Sequence, residues 1–501
     1  MSQTNTWVKG VLILTAAGLM SRFLGMVYRI PLQNIAGDEG LYVYQQIYPI
    51  LSLAIILSLY GIPSAITQQV TEHELSSQYL TKIFYLLAGL GVSVWAVLFA
   101  FAEVWANLMG DPLLEAPIKV SSFMFLLLPF VSVLRAFFQR MEQARFVGIS
   151  QVVEQLIRVI LIIVVTVFVV SMDLSIYDLG TYAAVATILG TVSAIIYLGI
   201  HFQKKSPLKI EPISERESLT HTAKWLFIGI FVYSLTYVLH LVLQLLDVFT
   251  MVPLLQDYGL SFNEARELKG VFDRGNPMIQ LGLVFGSSLG FALVPGMQSH
   301  QRATDAKLAI KLTFVFSLAA SVGLISIMQF LNPLFYLDQQ GTVAIQWLML
   351  LVFLLSMVIT LSVLLQGLQY KQQQLKWILL LMGTKFLLNQ LLIPLYGIVG
   401  AAIASILSAL LLVMIFYWIW ARESGLRIEW LFYVKAVLAV LVMFGVVTGL
   451  AQLFSGEMSR LGLILPTLVL STVGAIVLVV LVWVMNILPR DFIHQLRSRK
   501  K

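Results

Sequence analysis

The sequence predicts an all-α polytopic membrane protein with about fourteen transmembrane helices. Three observations predict this class. Of the 501 residues, 59% are hydrophobic and 11% are charged, and the mean hydropathy is +0.90. Apolar runs of about 20 residues, long enough to cross a bilayer as a helix, recur along the whole chain. The alternating pattern of transmembrane strands does not appear.

The predicted spans are separated by short polar stretches, many of which contain glycine or proline. The longest hydrophilic connector, residues 204–222, divides the first six spans from the next six. Similar Gly-Ala runs open spans six and twelve, which favours two related halves with a site between them. The predicted spans cover residues 7–31, 41–70, 79–107, 118–141, 146–171, 177–203, 223–254, 275–298, 305–331, 340–368, 373–396, 397–420, 430–454 and 461–488.

The organisation that follows has four parts. Residues 1–203 form an N-terminal lobe of spans one to six, and residues 204–222 form a cytoplasmic linker. Residues 223–420 form a C-terminal lobe of spans seven to twelve. Residues 421–501 hold the last two spans and a basic C-terminus.

Most of the 32 Lys and Arg residues then lie at one side of the membrane, so both termini are predicted to be cytoplasmic. The first span is too long and too charged for a cleaved signal peptide and is expected to stay as an anchor.

Two arginines lie in the first predicted span, where a charge is costly. Insertion scales put an arginine near the bilayer midplane at roughly 2.5–3.5 kcal/mol. Arg22 and Arg29 are seven positions apart, so they share one helix face. That face must meet water, protein or an anionic ligand. For Arg22 the sequence favours a polar cavity; for Arg29 a cavity and snorkelling to the headgroups both remain open.

Arg274 is a further candidate, because it leads into span eight. The following Gly275, Asn276 and Pro277 would bend the backbone and start a helix. Either Arg274 is a gate or anion ligand that faces the first span, or it is an exposed arginine of an outer loop.

Four other charges lie inside predicted spans. Glu154 and Arg158 are four residues apart and can pair on one helix face, either as a structural salt bridge, which we favour, or as a ligand site. Asp247 and Lys385 are lone charges of spans seven and eleven. They form either a salt bridge or part of an ion or proton relay, and we predict the salt bridge, with no sodium site.

Enzymatic chemistry finds little support in the sequence. There is no cysteine, no HExxH motif and no Walker A loop. We therefore predict a transporter that is not an enzyme and that needs no metal or cofactor.

Three motifs resemble one known family. They are Ser21-Arg22-x-x-Gly25, Gly37-Asp38-Glu39-Gly40-Leu41, and Lys269-Gly270-Val271-Phe272-Asp273-Arg274-Gly275-Asn276-Pro277. They look like the Gram-positive branch of the MurJ-type lipid II flippases, with SpoVB-type polysaccharide exporters as close relatives. Both groups belong to the MOP superfamily, which also includes the MATE drug antiporters. The resemblance covers essentially the whole chain.

The resemblance implies two six-helix lobes in a V, plus two C-terminal helices that form an apolar groove for a polyprenyl tail. It implies a cationic cavity lined by spans one, two, seven and eight. Arg22 and Arg274 carry over as ligands of the cargo diphosphate. In the Gram-negative pattern the second arginine stands where this chain has Tyr28, so a role for Arg29 is inferred from its helix face.

The implied function is a flippase that moves lipid II, the undecaprenyl-diphosphate-linked peptidoglycan precursor, from the inner to the outer leaflet by alternating access. The alternatives are an exporter of another polyprenyl-diphosphate-linked glycan and a MATE-like drug or cation antiporter. The expected location is the bacterial cell membrane. Expected partners are the lipid-linked substrate, membrane lipids and cell-wall synthesis enzymes; neither nucleic acid nor an oligomer is implied.

Overall fold

The computed structural model describes residues 17–21, 23–69, 77–205, 219–283, 302–368, 370, 373–424, 429–454, 456 and 458–487. Helices are the regular structure of these residues, and no strand occurs among them. Eleven of the described helices are long and apolar enough to cross a membrane. The predicted class of all-α polytopic membrane protein is therefore confirmed. Span eight, predicted at 275–298, is described only as far as residue 283, and the count of fourteen stays a prediction.

Most helices run the length of a membrane span. Between residues 29 and 273 they are Arg29–Ile56, Ile62–Gln69, Ser77–Ala100, Ala102–Leu108, Glu115–Ser122, Met124–Arg140, Ala144–Ser171, Ile176–Lys205, Leu219–Asp257 and Phe262–Asp273. Between residues 302 and 484 they are Arg302–Tyr336, Thr342–Leu348, Leu350–Gly367, Gln373–Ser424, Trp430–Ala451 and Ile464–Val484. A π-helical turn, Leu57–Gly61, joins the first two helices.

Two glycines divide the longest helical stretches. Gly37 has φ +70° within Ala17–Gln68, and Gly397 has φ +58° within Gln373–Ser424. Residues with side chains rarely adopt this left-handed region, so each glycine permits a sharp turn between two spans. The boundary at 396/397 was predicted, whereas the predicted end of span one at Pro31 was wrong. Pro31 lies in the first turn of Arg29–Ile56, where its missing N–H group is tolerated.

The chain divides into two compact units. The first is Met1–Asp273 with Phe386–Gly397, and the second is Arg274–Lys385 with Ile398–Lys501. These bounds differ from the predicted parts, 1–203, 204–222, 223–420 and 421–501. Most of the predicted linker lies outside the described residues. The two six-helix lobes in a V stay a prediction.

The first unit has an apolar core where its helices cross. Tyr28, Leu32, Tyr44, Ile162 and Leu179 are among the buried members of one cluster. Small residues allow close approach at these crossings, because a Cβ atom on Gly180 would lie 2.7 Å from Val43 and one on Gly190 would lie 2.8 Å from the backbone oxygen of Glu154. The packing of this core therefore sets the orientation of the helix faces that carry the buried polar groups of the first unit.

The second unit packs its last two helices on the helix Arg302–Tyr336. Val315 of that helix forms one buried cluster with Phe432, Ala436 and Ala439. The outward faces of the last pair expose large apolar side chains, of which Leu465 is 63% and Trp483 70% exposed. A surface of this kind suits lipid rather than water.

Candidate functional site

Arg29 is one of the two arginines of the first predicted span, and it lies in the first unit. Its side chain is fully buried, with the guanidinium carbon 4.4 Å from the ring centre of Tyr48 and 5.8 Å from that of Tyr28. Its Nε and Nη1 atoms have no hydrogen-bond partner in the described part of the chain. Snorkelling to the headgroups is therefore the wrong interpretation. Because an arginine stays charged and an unpaired buried charge is unfavourable, this group is suited to an anionic ligand.

Three tyrosines form a cluster beside this arginine. The hydroxyl groups of Tyr28 and Tyr44 are 2.5 Å apart, and their rings meet edge to face at 5.7 Å. Tyr44 also contacts Tyr48, with the ring centres 6.0 Å apart. Aromatic faces stabilise a guanidinium while leaving its N–H edge available. The sequence analysis missed this tyrosine cluster, although the spacing of Tyr44 and Tyr48 by one helical turn was a signal.

A second charged pair lies at the end of the helix Phe262–Asp273. Lys269 Nζ donates to both carboxylate oxygens of Asp273, at 2.6 and 2.5 Å, and both residues are buried. Burial raises the pKa of Asp273 to about 6. The positive charges of Lys269 and Arg29 act to lower this pKa, and the negative charge of Asp247 acts to raise it. These four groups thus form one electrostatic cluster of two cations and two carboxylates within the first unit.

Asp247 has a defined partner in the same unit. Asn389 Nδ2 donates to Asp247 Oδ1 at 3.0 Å and to Thr250 Oγ1 at 2.8 Å. Lys385 belongs to the second unit, where its fully buried ammonium donates to the carbonyl oxygen of Ala401 at 3.0 Å and to Ser405 Oγ at 2.7 Å. The Asp247–Lys385 salt bridge stays a prediction, since its members lie in different units.

Glu154 and Arg158 form the ion pair that their spacing predicts. Arg158 Nη2 lies 2.6 Å from Glu154 Oε1, and Arg135 Nη2 lies 2.6 Å from Glu154 Oε2. Thr191 donates a further hydrogen bond to this carboxylate at 3.0 Å. The sequence analysis did not single out Arg135 as a partner of Glu154, although its side chain is fully buried. Its position more than one turn before the end of Met124–Arg140 was the available signal.

Two close contacts of the first unit flank Tyr48 along the chain. At one end, a Cβ atom on Gly270 would lie 2.1 Å from the backbone oxygen of Asp38. At the other end, Tyr60 stacks on Tyr237 with ring centres 3.9 Å apart.

Arg274 is described within the second unit, where it is fully buried. Its Nη1 and Nη2 atoms donate to the two carboxylate oxygens of Asp338, at 2.7 and 2.9 Å. Partial burial acts to raise the pKa of Asp338, but the hydrogen bonds from Arg274 and the N–H of Gln340 hold it below its ordinary value. The interpretation as an exposed loop arginine is therefore wrong. Arg22 lies outside the described residues, and its role stays a prediction.

Comparison with known proteins gives one matching family. The sequence pattern of the polysaccharide biosynthesis protein family matches residues 7–301. The chain is 32% identical to the uncharacterised membrane protein YabM of Bacillus subtilis over 456 residues, which cover 87% of this chain and 83% of YabM. It is 29% identical to stage V sporulation protein B of B. subtilis over 41% of this chain and 40% of that one. It is 27% identical to the lipid II flippase MurJ of B. subtilis over 46% of each.

Several solved structures resemble the fold, among them these two. A lipid II flippase MurJ in an inward closed conformation superposes with a TM-score of 0.72 at 14% identity, covering 96% of this chain and all of that one. An inward-facing MATE multidrug transporter of the MOP superfamily superposes with a TM-score of 0.59 at 15% identity, covering 80% of this chain and 94% of that one. At such identities the similarity establishes the fold alone.

Proposed function

Because the chain belongs to the polysaccharide biosynthesis protein family, we propose that it carries a polyprenyl-diphosphate-linked glycan across the cell membrane, and that the glycan is lipid II. Its resemblance to the MurJ- and SpoVB-type members of the MOP superfamily is confirmed. The name of the MurJ relatives supports lipid II as the cargo. We propose alternating access without a catalytic step.

The main observation that supports the proposal is the burial of Arg29 and the lack of partners for part of its guanidinium. Arg29 is a fully buried cation beside the Tyr48 ring, and its Nε and Nη1 atoms lack a partner in the described part of the chain. The several oxygens of a diphosphate could accept from both atoms, because they can reach different edges of the guanidinium and carry the opposite charge. We propose that Arg22 and Arg274 contact the same diphosphate at other stages of the cycle.

The apolar tail of such a cargo needs a surface beside the transporter. We propose that the last two helices supply it, because their outward side chains are large and apolar. The alternative of a MATE-like antiporter for cationic drugs fits less well, since a buried arginine repels a cation. Another polyprenyl-linked glycan remains the same-fold alternative, because Arg29 would recognise the shared diphosphate.

Depletion of the protein followed by mass spectrometry of lipid-linked intermediates tests the cargo. Lipid II should accumulate on the inner leaflet if the proposal is right. Accumulation of a different polyprenyl-linked glycan would favour the same-fold alternative. An unchanged pool of all such lipids would reject a flippase.

Substitution of Arg29 tests the site. Arg29→Ala should abolish complementation at normal membrane levels. Arg29→Lys should rescue it only in part, because an ammonium is a point charge and offers no planar pair of donors. Arg145 is an exposed arginine of another helix, and Arg145→Ala is the matched control that should complement fully. Full activity of Arg29→Ala would remove this residue from the site.

Cysteine labelling tests the orientation, which we propose has both termini inside. The native chain has no cysteine, so each introduced one reports alone. In intact cells, an impermeant thiol reagent should label Asp338→Cys and should spare a cysteine in the connector 204–222. The reverse pattern would overturn the orientation.

A further inference from the structure

We propose that Asp338 is a positioning residue that occupies Arg274 in the empty carrier and drives the cargo diphosphate off this arginine at release. The proposal rests on the proposed function, in which Arg274 contacts a diphosphate. Nothing in the sequence motifs points to Asp338, which lies 64 positions away from Arg274.

The pair has the geometry that a phosphate would use. Both terminal nitrogens of Arg274 donate to the carboxylate, at 2.7 and 2.9 Å, one to each oxygen. A carboxylate and a phosphate present the same spacing of oxygen acceptors to a guanidinium. Asp338 therefore occupies the donor edge that a diphosphate would need, and the two acceptors compete for it.

The two partners differ in exposure and in the contacts that hold them. The side chain of Arg274 is fully buried, its backbone oxygen accepts a hydrogen bond from Tyr336 at 3.2 Å, and its guanidinium lies 5.4 Å from the ring of Tyr336. The side chain of Asp338 is 47% exposed. Arginine is thus the fixed member, and the carboxylate is the member that can withdraw into water at little desolvation cost.

The carboxylate also has a second local partner. Asp338 Oδ1 accepts a hydrogen bond from the backbone N–H of Gln340 at 2.7 Å. This contact lies within its own turn and does not depend on Arg274. When a diphosphate takes the arginine, Asp338 therefore retains a hydrogen bond, and exchange of one anion for the other leaves neither the cation nor the carboxylate unpaired.

The turn that carries Asp338 is held in register from another part of the second unit. Arg460, in the connection between the last two helices, donates to the carbonyl oxygens of Leu334 and Phe335 at 2.9 and 3.3 Å. These are among the last carbonyls of Arg302–Tyr336, which have no partner within the helix. Asn332 donates to the carbonyl oxygen of Gln340 at 3.0 Å. Both contacts keep Asp338 beside Arg274 at a high effective concentration, so it can recapture the arginine after each turnover.

Binding of undecaprenyl diphosphate to the purified chain in phosphatidylcholine nanodiscs tests this competition. Asp338→Asn removes the competing charge and should lower the Kd about two- to fivefold, as expected for a partly exposed ion pair. Asp338→Glu retains a carboxylate and should bind as the unsubstituted chain does. Glu429→Gln is the matched control, because Glu429 is 45% exposed and pairs with Lys307 and Lys311; its Kd should not change.

A double-mutant cycle with Arg274→Ala separates the outcomes. Arg274→Ala should raise the Kd and abolish the effect of Asp338→Asn, because Asp338 acts through this arginine. If Arg274→Ala weakens binding while Asp338→Asn leaves it unchanged or weakens it, the role of Asp338 is wrong and the proposed function stands. If Arg274→Ala binds normally, Arg274 has no place in the proposed function. Asp338→Ser replaces the asparagine variant should the latter not yield folded protein.

Discussion

Gly270 sets how closely the helix Phe262–Asp273 approaches the chain just after the turn at Gly37. A Cβ atom there would lie 2.1 Å from the backbone oxygen of Asp38, whereas ordinary contact begins at 3.4 Å, so Gly270→Ala forces a separation of 1.3 Å. The obstacle is backbone and cannot rotate away. Overpacking of this kind costs about 1–3 kcal/mol. We expect the substitution to weaken this contact and to increase opening at it by about 5- to 150-fold.

The assay is thiol labelling of Val271→Cys in purified protein, since Val271 is fully buried in the same helix. Labelling should be faster in the Gly270→Ala background than with Gly270. Gly89→Ala is the matched control, because a Cβ atom on Gly89 would meet nothing within 4 Å. In that background the labelling rate should not change, and the stability should rise by about 0.5–1 kcal/mol. Equal labelling in both backgrounds would refute the reasoning.

Three further predictions concern buried charge. Glu154→Gln strands two buried arginines and should lower the free energy of unfolding by about 3–5 kcal/mol, whereas Glu115→Gln, at an exposed pair, should cost about 1 kcal/mol or less in the same denaturation assay. The raised pKa of Asp273, about 6 against an ordinary 3.8, means that its stabilising contribution is complete below pH 3.8 and is lost as the pH rises through 6. When the pH is lowered from 7 to 5, the free energy of unfolding should therefore rise by about 1.4 kcal/mol, and the Tm should rise with it. Asp273→Asn should flatten this dependence. A flat pH profile of the unsubstituted chain would contradict the prediction. For the predicted salt bridge, Asp247→Asn and Lys385→Met should each reduce folded yield and complementation more than the double variant does, without dependence on sodium; additive single effects would count against the pair.

The sequence by itself determined the features that depend on local composition and spacing. Long apolar runs require helices in a membrane, because only internal hydrogen bonding satisfies the backbone there. The pairing of Glu154 with Arg158 followed from a spacing of four residues, which places both side chains on one face. The turn at Gly397 followed from a glycine between two apolar runs. Arg29 and Arg274 could be singled out because a charge in or beside a span is costly without a partner.

Only the tertiary structure decided which groups meet those charges. Helical periodicity relates residues three or four positions apart, whereas Arg274 meets Asp338 across 64 positions and Arg135 meets Glu154 across 19. The tyrosine cluster likewise joins Tyr28 to Tyr44 across the sharp turn at Gly37. Such contacts depend on the angle and register at which helices pack, which are set by side-chain volumes and small residues over the whole crossing and not by any local pattern.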